Sequence, residues 1–507
     1  MSEHPPSDEP YDAPDDLDDE PPGESEPREA DMAVIEAGSR TLRTQVTPPA
    51  PEDDVPSRPQ DPEVDRELRA VEEELLGRWP ETKLDPSLVR MTALMDVLGE
   101  PQRAYPAIHI TGTNGKTSTA RMIERLLLAF ELRTGRYTSP HVQSVTERIS
   151  LDGRPISAER FIETYRDLQP YIGMVDAAQP HRLSFFEVLT GMAYAAFADA
   201  PVDVAVIEVG MGGSWDATNV LDGQVAVVTP ISLDHTERLG GTPGEIAVEK
   251  AGIVKKDATA VLAQQPADAA RVLLKRAVEV EADVAREGEE FGVLHREIAV
   301  GGQLLTLRGL GGEYEQIFLP LHGEHQAHNA AVALAAVEAF FGIGRLHQRT
   351  LDVDTVRAAF AAVTSPGRME VVRRSPTVVL DAAHNPAGAL VTAAAVSEVF
   401  DFTHLVGVIG PSGDKDVRGL LEAFEPVLSE VVVTRNSTRR AMDVDALAAL
   451  AVEVFGEDRV QVEPRLDDAL EAAVTLAEDE GAYSGAGVLV TGSVITVGEA
   501  RLLLGRK

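Results

Sequence analysis

The stretch "HITGTNGKTSTARMIERLLLAF" (His109–Phe130) predicts a strand, a glycine-rich turn and a helix, in that order. Four apolar side chains have the i, i+3, i+4, i+7 spacing of a helix face that packs on a core: Ile123, Leu126, Leu127 and Phe130. A small-residue turn between a strand and a helix lets backbone N–H groups converge on phosphate oxygens. This context favours a phosphate-binding loop over a plain glycine turn with an exposed lysine.

The loop departs from the usual phosphate-binding spacing, G-x-x-x-x-G-K-[ST], because Ile110 stands where the first glycine would be. We therefore expect the strand to end at Ile110 and a shorter loop to follow it. From that loop Lys116 can reach the β- and γ-phosphates of a nucleotide, and Thr117 or Ser118 can approach a metal ion.

Apolar, β-branched runs alternate with helical patterns around this motif. The alternation predicts an α/β fold in which a mostly parallel, doubly wound sheet has helices on both faces. The predicted strands are Tyr105–Ile110, Val202–Gly210, Gln224–Ile231, Thr377–Ala383, His404–Gly410, Glu430–Thr434 and Ala486–Ser493. Residues Glu290–Gly323 instead alternate with period two between Gly-rich turns, which indicates an antiparallel insert in the first domain.

The turn "TSPGR" (Thr364–Arg368) ends one helical pattern and precedes a new series of strands. It divides the folded chain into a P-loop ATPase domain at residues 65–364 and a smaller, Rossmann-like α/β domain at residues 365–507. Residues 1–64 are predicted to be a disordered acidic tail, because residues 1–60 hold 17 Asp and Glu, 4 Arg and 12 of the 32 prolines.

Composition limits the classes of partner and chemistry. The chain of 507 residues carries a net charge of −37, which disfavours a nucleic-acid partner because phosphate backbones would be repelled. It contains no cysteine, which excludes disulfides, thiolate catalysis and cysteine-ligated metals. There is no apolar run long enough for a membrane span and no signal-peptide pattern, so we expect a cytoplasmic protein.

A nucleotide site needs oxygen ligands for Mg²⁺. Glu208 lies in an apolar run, where a carboxylate is costly unless it is paired or binds a metal ion. Because a glycine-rich turn follows, Glu208 is expected at the carboxyl end of its strand, where open α/β sheets bind ligands. Asp234 and His235 follow the next predicted strand, and for His235 a structural role is an equally good interpretation.

Nine motifs occur in order along the chain: "TGTNGKTS", "YTSPHV…TERI", "IEVGMGGSWDATN", "ISLDHTERLG", "EKAGIVK", "HGEHQAHNA", "SPGRMEVV", "LDAAHNPAGA" and "GDKDV". Residues 65–507 thereby resemble the folylpolyglutamate synthase/dihydrofolate synthase family of the Mur-ligase superfamily. The resemblance implies that the short loop is the superfamily's own phosphate loop. It implies that ATP is contacted by Gly112, Thr113, Asn114, Gly115, Lys116, Thr117, Ser118, Asn329, Arg368 and Asp381.

The resemblance further implies two Mg²⁺ sites, with Ser139 and Glu208 at the first and His235 at the second. Lys250 of "EKAGI" matches a lysine that is carbamylated in this family, a change that converts a cation into an oxygen ligand. The catalytic candidates are Lys116 and Lys250, together with Asp381 and His384 of the signature across the domain cleft.

Two stretches, "LSFFE" and "DATN", match those that hold the pterin part of the substrate in bacterial bifunctional members. The substrate-binding candidates are Ser184, Phe185, Phe186, Glu187, Asp216, Ala217 and Thr218. At least one phenylalanine is expected in the core, and Phe186 is the better candidate for ring contact. The family often has arginine in "GGR-x-DATN", where this chain has Ser214, so a carboxylate contact by that arginine would be missing or replaced.

The implied reaction is ATP-dependent addition of L-glutamate to dihydropteroate, to a (tetrahydro)folate γ-carboxylate, or to both, through an acyl phosphate. One alternative is a folylpolyglutamate synthase without dihydrofolate synthase activity. Another is a Mur-type ligase acting on a UDP-sugar peptide, which would need an N-terminal UDP-binding domain. A third is a non-catalytic nucleotide switch, which would lack some metal ligands. The family resemblance favours a monomer with small-molecule partners.

Overall fold

The computed structural model describes residues 61–79, 86–344, 349–479 and 485–505. The predicted acidic tail therefore lies, up to residue 60, outside the described residues. For residues 62–64 the prediction of disorder was wrong, because Asp61 caps a helix that begins at Pro62. We call residues 61–363 the N-terminal region and residues 369–505 the C-terminal region. The predicted domain boundary at 364/365 lies between them, after the last helix of one region and before the first strand of the other. A division into two domains at this point stays a prediction.

The N-terminal region contains these elements. Its helices are α1 (Pro62–Leu76), α2 (Val89–Val97), α3 (Lys116–Ala129), α4 (Ala158–Ala178), α5 (Phe185–Asp199), α6 (Thr236–Leu239), α7 (Pro243–Lys250), α8 (Ala267–Glu279), α9 (Glu324–Phe340) and α10 (Val353–Ala361). Its strands are β1 (Ala107–Thr111), β2 (Thr134–Tyr137), β3 (Ile149–Leu151), β4 (Arg154–Pro155), β5 (Val204–Glu208), β6 (Val225–Val228), β7 (Thr259–Leu262), β8 (Asp283–Arg286), β9 (Gly292–Ala299), β10 (Gly302–Arg308) and β11 (Glu313–Leu319).

The main sheet of this region has eight strands in the order β4-β3-β2-β5-β1-β6-β7-β8. The six neighbouring strands β2, β5, β1, β6, β7 and β8 pair in parallel. The hairpin of β3 and β4 adds an antiparallel edge beside β2. One face packs against α3 and α9, and the other against α4 and α5. The predicted doubly wound α/β arrangement is confirmed, and β9, β10 and β11 form the expected antiparallel insert.

The C-terminal region contains a second sheet, of six strands. Its helices are α11 (Pro386–Val399), α12 (Val417–Phe424), α13 (Val444–Phe455), α14 (Leu466–Asp479) and α15 (Val494–Leu503). Its strands are β12 (Glu370–Arg374), β13 (Thr377–Leu380), β14 (His404–Ile409), β15 (Glu430–Arg435), β16 (Val460–Arg465) and β17 (Ala486–Thr491). The order is β12-β13-β17-β14-β15-β16, and within this sheet, as far as the structure describes it, only the pairing of β12 with β13 is antiparallel. Within the described residues, no helix has the length and apolar composition that crossing a bilayer would require.

A buried ion pair ties the helix of the phosphate loop to the sheet. Arg136 lies in the middle of β2 with 1% of its side chain exposed, and its Nε donates to Glu124 Oε2 on α3 at 2.6 Å. Its other guanidinium nitrogens donate to Thr138 Oγ1 at 3.2 Å and Ser150 Oγ at 2.8 Å. The pair satisfies two charges that would otherwise be costly in the core, and it holds α3 against the sheet.

The substitution Arg136→Met is expected to lower the free energy of unfolding by roughly 3–5 kcal/mol, because Glu124 is left buried without its cationic partner. Adding Glu124→Leu should recover part of that loss, since no uncompensated charge then remains. Urea unfolding followed by circular dichroism measures both. The control is Arg69→Met in an exposed pair with Asp65, where the change should stay within about 1 kcal/mol. A double variant less stable than Arg136→Met would contradict this interpretation.

Candidate active site

The phosphate loop has the predicted strand–turn–helix form. Strand β1 runs to Thr111, one residue beyond the expected end, and α3 begins at Lys116 after Gly115, whose φ is 88°. Glycine is required twice in the turn. A Cβ on Gly112 would lie 1.9 Å from Thr229 Oγ1, and one on Gly115 would lie 2.5 Å from Asn329 Oδ1. Ile110 is therefore part of the strand, and the loop is short because the strand continues where another phosphate loop would already turn.

Side chains of the first helical turn face different parts of the site. Lys116 Nζ donates to the carbonyls of Gly112 at 3.2 Å and Thr113 at 3.1 Å, which places its charge over the loop. Burial lowers the pKa of Lys116, while the carboxylates of Glu208 and Asp234 oppose that shift. Thr117 Oγ1 donates towards both oxygens of Glu208 at 3.0 Å, whereas Ser118 Oγ lies 3.2 Å from Ser365 Oγ. Of the two hydroxyls, only that of Thr117 faces the carboxylate.

Glu208 ends β5 and is 1% exposed. Burial raises its pKa, and Lys116, the Thr117 hydroxyl and the Ser139 backbone N–H all act in the opposite direction. The described residues contain no group of three or more His, Cys, Asp or Glu side chains that could hold a metal ion. A single carboxylate with hydroxyl oxygens beside a phosphate loop nevertheless fits Mg²⁺, which takes few protein ligands and completes its shell with phosphate and water.

Asp234 and His235 lie where the two regions meet. Asp234 accepts from Lys415 Nζ at 2.7 Å and from Asn385 Nδ2 at 3.2 Å, both in the C-terminal region. Burial opposes ionisation of Asp234, but the charges of Lys415, His235 and His384 hold its pKa below the usual value. His235 Nε2 lies 3.2 Å from the Lys415 ammonium, and burial lowers the pKa of His235 to about 4.

The loop itself also touches the C-terminal region. Asn114 and Asn385 form a reciprocal amide pair, with Nδ2-to-Oδ1 distances of 3.3 and 3.1 Å. Asn385 also caps α11 by accepting from Gly388 N. Lys415 and Asn385 lie within the motifs "GDKDV" and "LDAAHNPAGA", but no function was predicted for either residue from the sequence. The signal for Lys415 is its place just beyond the carboxyl end of β14, where parallel sheets bind ligands.

Lys250 ends α7 and is buried beneath the loop. Its Nζ donates to Gly112 O at 2.7 Å. Burial, together with the nearby Lys116 ammonium, lowers the pKa of Lys250 to about 7. A large fraction of this amine is therefore neutral at neutral pH, which is the form that reacts with CO₂.

The "DAAHN" turn follows β13 as expected, but its two catalytic candidates differ. The Asp381 carboxylate accepts from Met369 N at 3.0 Å, Ala383 N at 3.0 Å and Thr392 Oγ1 at 2.8 Å, so it is committed to holding the turn. His384 Nδ1 lies 2.9 Å from the Ala382 carbonyl, a contact in which Nδ1–H must donate. Its Nε2 is then the unprotonated nitrogen, 3.8 Å from Asp234 Oδ2, and burial lowers the pKa of His384 to about 4.

Arg368 and Asn329 both lie near the phosphate loop. Arg368 lines a cavity between the two regions, together with Thr117, Arg121, His141, Ser365 and Val494. His141 Nδ1 accepts from Arg148 Nε at 3.0 Å, so the proton of its neutral ring is on Nε2. Asn329 on α9 lies against Gly115 and donates to Gln326 Oε1 at 3.1 Å.

Side chains of the predicted pterin stretches are largely committed to local contacts. Ser184 and Glu187 form a capping box at the start of α5, and Glu187 also pairs with Arg90 at 3.0 Å. Phe185 packs in the core, as expected of one phenylalanine, under the Arg148 guanidinium at 5.1 Å. Phe186 is half-buried beside Tyr137, with ring centroids 5.8 Å apart.

The "DATN" segment is a rigid turn. Asp216 accepts from Met211 N at 2.9 Å and from Thr218 N and Oγ1 at 3.0 and 2.6 Å. His109 Nε2 on β1 lies 2.9 Å from Thr218 Oγ1. Ala217, which lies between Asp216 and Thr218 in the chain, is buried. Ser214 at the family arginine position is solvent-exposed and donates to Glu249 O at 3.1 Å.

Known proteins share both the sequence and the fold. The Mur ligase middle domain family matches residues 110–337, and the Mur ligase glutamate ligase domain family matches residues 367–494. The dihydrofolate synthase/folylpolyglutamate synthase of Mycobacterium tuberculosis is 56% identical over 460 residues, which cover 87% of this chain and 94% of that protein.

Solved structures agree. Mycobacterium tuberculosis folylpolyglutamate synthase complexed with ADP matches with a TM-score of 0.84 and 55% identity, covering 88% of this chain and 99% of that one. Escherichia coli FolC in complex with DHPP and ADP matches with a TM-score of 0.74 and 28% identity, covering 86% and 97%. The short phosphate loop, the buried Glu208 beside it and these matches agree, and the chain belongs to the folylpolyglutamate synthase/dihydrofolate synthase family of Mur ligases.

Proposed function

We propose that this protein is an ATP-dependent carbon–nitrogen ligase that adds L-glutamate to dihydropteroate and to the γ-carboxylate of (tetrahydro)folates. The observation that carries the proposal is the contact of the phosphate loop with the "DAAHN" turn, through the Asn114–Asn385 amide pair. This contact places the phosphate loop opposite the carboxyl end of the second sheet. Parallel sheets bind ligands at that end, so one cleft can hold both ATP and a second substrate. The Mycobacterium tuberculosis relative, named for both activities, supports the two substrates.

The chemistry follows from the stability of carboxylates and amines in water. The γ-phosphorus of ATP bonds to a folate carboxylate oxygen as its bond to the β,γ-bridging oxygen breaks, and ADP leaves. The glutamate amine then forms the C–N bond, phosphate departs with the electrons of the C–O bond, and one proton is released. Lys116 and Arg368 supply positive charge for the phosphoryl group, and cleft closure keeps water from the acyl phosphate.

We assign Thr117, Ser139 and Glu208 to one Mg²⁺, which would neutralise phosphate charge during transfer. Thr117 Oγ1 lies 3.0 Å from both oxygens of the buried Glu208 carboxylate, and the backbone N–H of Ser139 places that residue beside the same carboxylate. His235 fits a second ion poorly in this arrangement, because its Nε2 lies beside the Lys415 ammonium.

His384 is the better candidate for orienting the glutamate amine. Its unprotonated Nε2 can accept a hydrogen bond from the amine, and Asp234 Oδ2 lies 3.8 Å from the same nitrogen, where it can attract a charged ammonium. Asp381 is instead a positioning residue, because its carboxylate is already bound to three donors of the turn. Lys250, neutral in part at pH 7, is proposed to carry a carbamate. We further propose that the enzyme acts as a cytoplasmic monomer, which size-exclusion chromatography with light scattering can test.

ATP-dependent incorporation of labelled glutamate should occur with dihydropteroate and with tetrahydrofolate, each assayed alone. Phe186→Ala is expected to raise KM for dihydropteroate roughly tenfold, because one ring contact is lost. Lys116→Ala should abolish both activities and serves as the negative control. No turnover of dihydropteroate by the wild-type protein would remove the dihydrofolate synthase half of the proposal.

His384→Gln should lower kcat/KM for glutamate by about 100-fold or more, since the nitrogen that faces the amine is lost. Nucleotide affinity, measured by calorimetry, should be unchanged. The matched control is His295→Gln, at an exposed histidine of β9. Wild-type kcat/KM in His384→Gln would eliminate the role assigned to His384.

Incubation with ¹³C-labelled bicarbonate should give one carbamate carbonyl signal in the NMR spectrum that is missing in Lys250→Arg. The signal should be lost as the pH falls through about 7, because the amine is then protonated and cannot add CO₂. An identical signal in wild type and variant would show that Lys250 is not the modified residue.

A further inference from the structure

Helix α15 of the C-terminal region lies directly on a loop of the N-terminal region, residues 139–148, which we call the Ser139 loop. A Cβ on Gly498 would lie 1.9 Å from Val142 O and 2.9 Å from Val142 C. Val142 itself packs against the core of the C-terminal region, which includes Val494 and Val497. The Ser139 loop thus packs on the sheet and helix of the C-terminal region through side-chain and backbone contacts. Glycine at position 498 allows the loop backbone to come this close to α15.

Arg501 fastens the same contact one turn further along α15. It is 4% exposed, and its Nη1 donates to Gln143 Oε1 at 2.6 Å. Its Nε lies 3.0 and 2.9 Å from the two oxygens of Glu370. Glu370 in turn accepts from Gly367 N at 2.8 Å, beside Arg368. One guanidinium therefore joins α15, the Ser139 loop and the turn that carries Arg368.

Hydrogen bonds to Glu147 hold the middle of the Ser139 loop together. The Glu147 carboxylate, 3% exposed, accepts from the backbone N–H groups of Val142, Gln143 and Ser144 at 2.8, 2.8 and 2.7 Å. A carboxylate with three backbone donors resists distortion of the chain around it. At the start of the loop, the backbone N–H of Ser139 donates to Glu208.

We propose that Gly498 and Arg501 are positioning residues for the phosphate site: they seat the Ser139 loop on α15 so that Ser139 stays against Glu208. Gly498 acts through Val142, and Arg501 acts through Gln143. When the C-terminal region packs on the Ser139 loop, the same contact fixes the position of Ser139 beside Glu208. The chemistry assigned to Glu208 rests on the proposed function, whereas the seating of the loop does not.

The first test substitutes Gly498→Ala in the full chain and follows backbone hydrogen–deuterium exchange. We expect exchange at Ser139, Val142, Gln143 and Ser144 to speed up by roughly tenfold or more, because the loop is pushed off α15. The melting temperature should fall, because the added Cβ overpacks this contact, so exchange is followed well below it. The matched control is Gly173→Ala, another helical glycine, whose added Cβ would meet nothing within 4 Å. Wild-type exchange rates in folded Gly498→Ala protein would overturn the proposal.

The second test covers the case in which Gly498→Ala does not fold. Arg501→Ala should speed exchange in the same segment and lower kcat about tenfold with KM for glutamate unchanged, whereas Arg501→Lys should recover part of both. Gln143→Ala should have a smaller effect in the Arg501→Ala background than in the wild type, because the contact between the two side chains is already lost there. The control is Arg373→Ala, in an exposed ion pair with Glu478.

Additive effects of Gln143→Ala and Arg501→Ala, or exchange that is unchanged in the Ser139 loop of Arg501→Ala, would contradict the proposal. The exchange measurements need no substrate. If the wild-type protein failed to ligate glutamate, the proposed function would fall while the exchange result would still decide whether α15 seats the loop.

Discussion

The buried carboxylate of Glu208 is the constraint around which the site is arranged. A carboxylate in the core is costly unless donors surround it, and two separate segments, the first turn of α3 and the Ser139 loop, supply them. The first turn of α3 contributes the Thr117 hydroxyl, the Ser139 loop contributes a backbone N–H, and Lys116 contributes the nearest charge. Satisfying one group therefore requires that α3, the end of β5 and the Ser139 loop meet at one point, which is the geometry that a phosphate site needs.

The contact between the two regions likewise depends on polar groups that find hydrogen-bond or charge partners across it. Asn114 and Asn385 pair through their amides, and Lys415 is held by Asp234. These contacts bring the phosphate loop to the turn that holds His384. An acyl phosphate formed in such a closed cleft meets an amine before it meets water, and this preference is what separates ligation from ATP hydrolysis.

Much of the fold could be predicted because its strands are continuous apolar runs. Strands β5, β6, β13, β14, β15 and β17 lie within or beside the predicted stretches. β2 was not predicted, because it is four residues long and carries Arg136 at its centre, a charge that only the Glu124 partner makes acceptable. β16 was also missed, since an edge strand with exposed polar residues has no core pattern.

The sequence motifs predicted which residues lie near the site better than they predicted what each residue does there. Ser184 and Glu187 are three residues apart, the spacing of a capping box, and the structure uses them in that way. Asp216 and Asp381 are likewise bound within their own turns. Such local hydrogen bonds depend on backbone direction, which a motif does not specify. Lys415 and Gly498 belong to contacts between distant segments, so their neighbours could not be read from the chain.

Calorimetric titration of Glu208→Gln with ATP, in the presence and absence of Mg²⁺, tests the central claim most directly. The amide keeps the size of the side chain, and its one oxygen can still accept from Thr117, while the negative charge that would hold Mg²⁺ is removed. Our account predicts that Mg²⁺ no longer strengthens ATP binding, a loss of roughly 10- to 100-fold, while ATP binding without Mg²⁺ is unchanged. A Glu208→Gln protein that binds Mg²⁺-ATP as tightly as the wild type would contradict it.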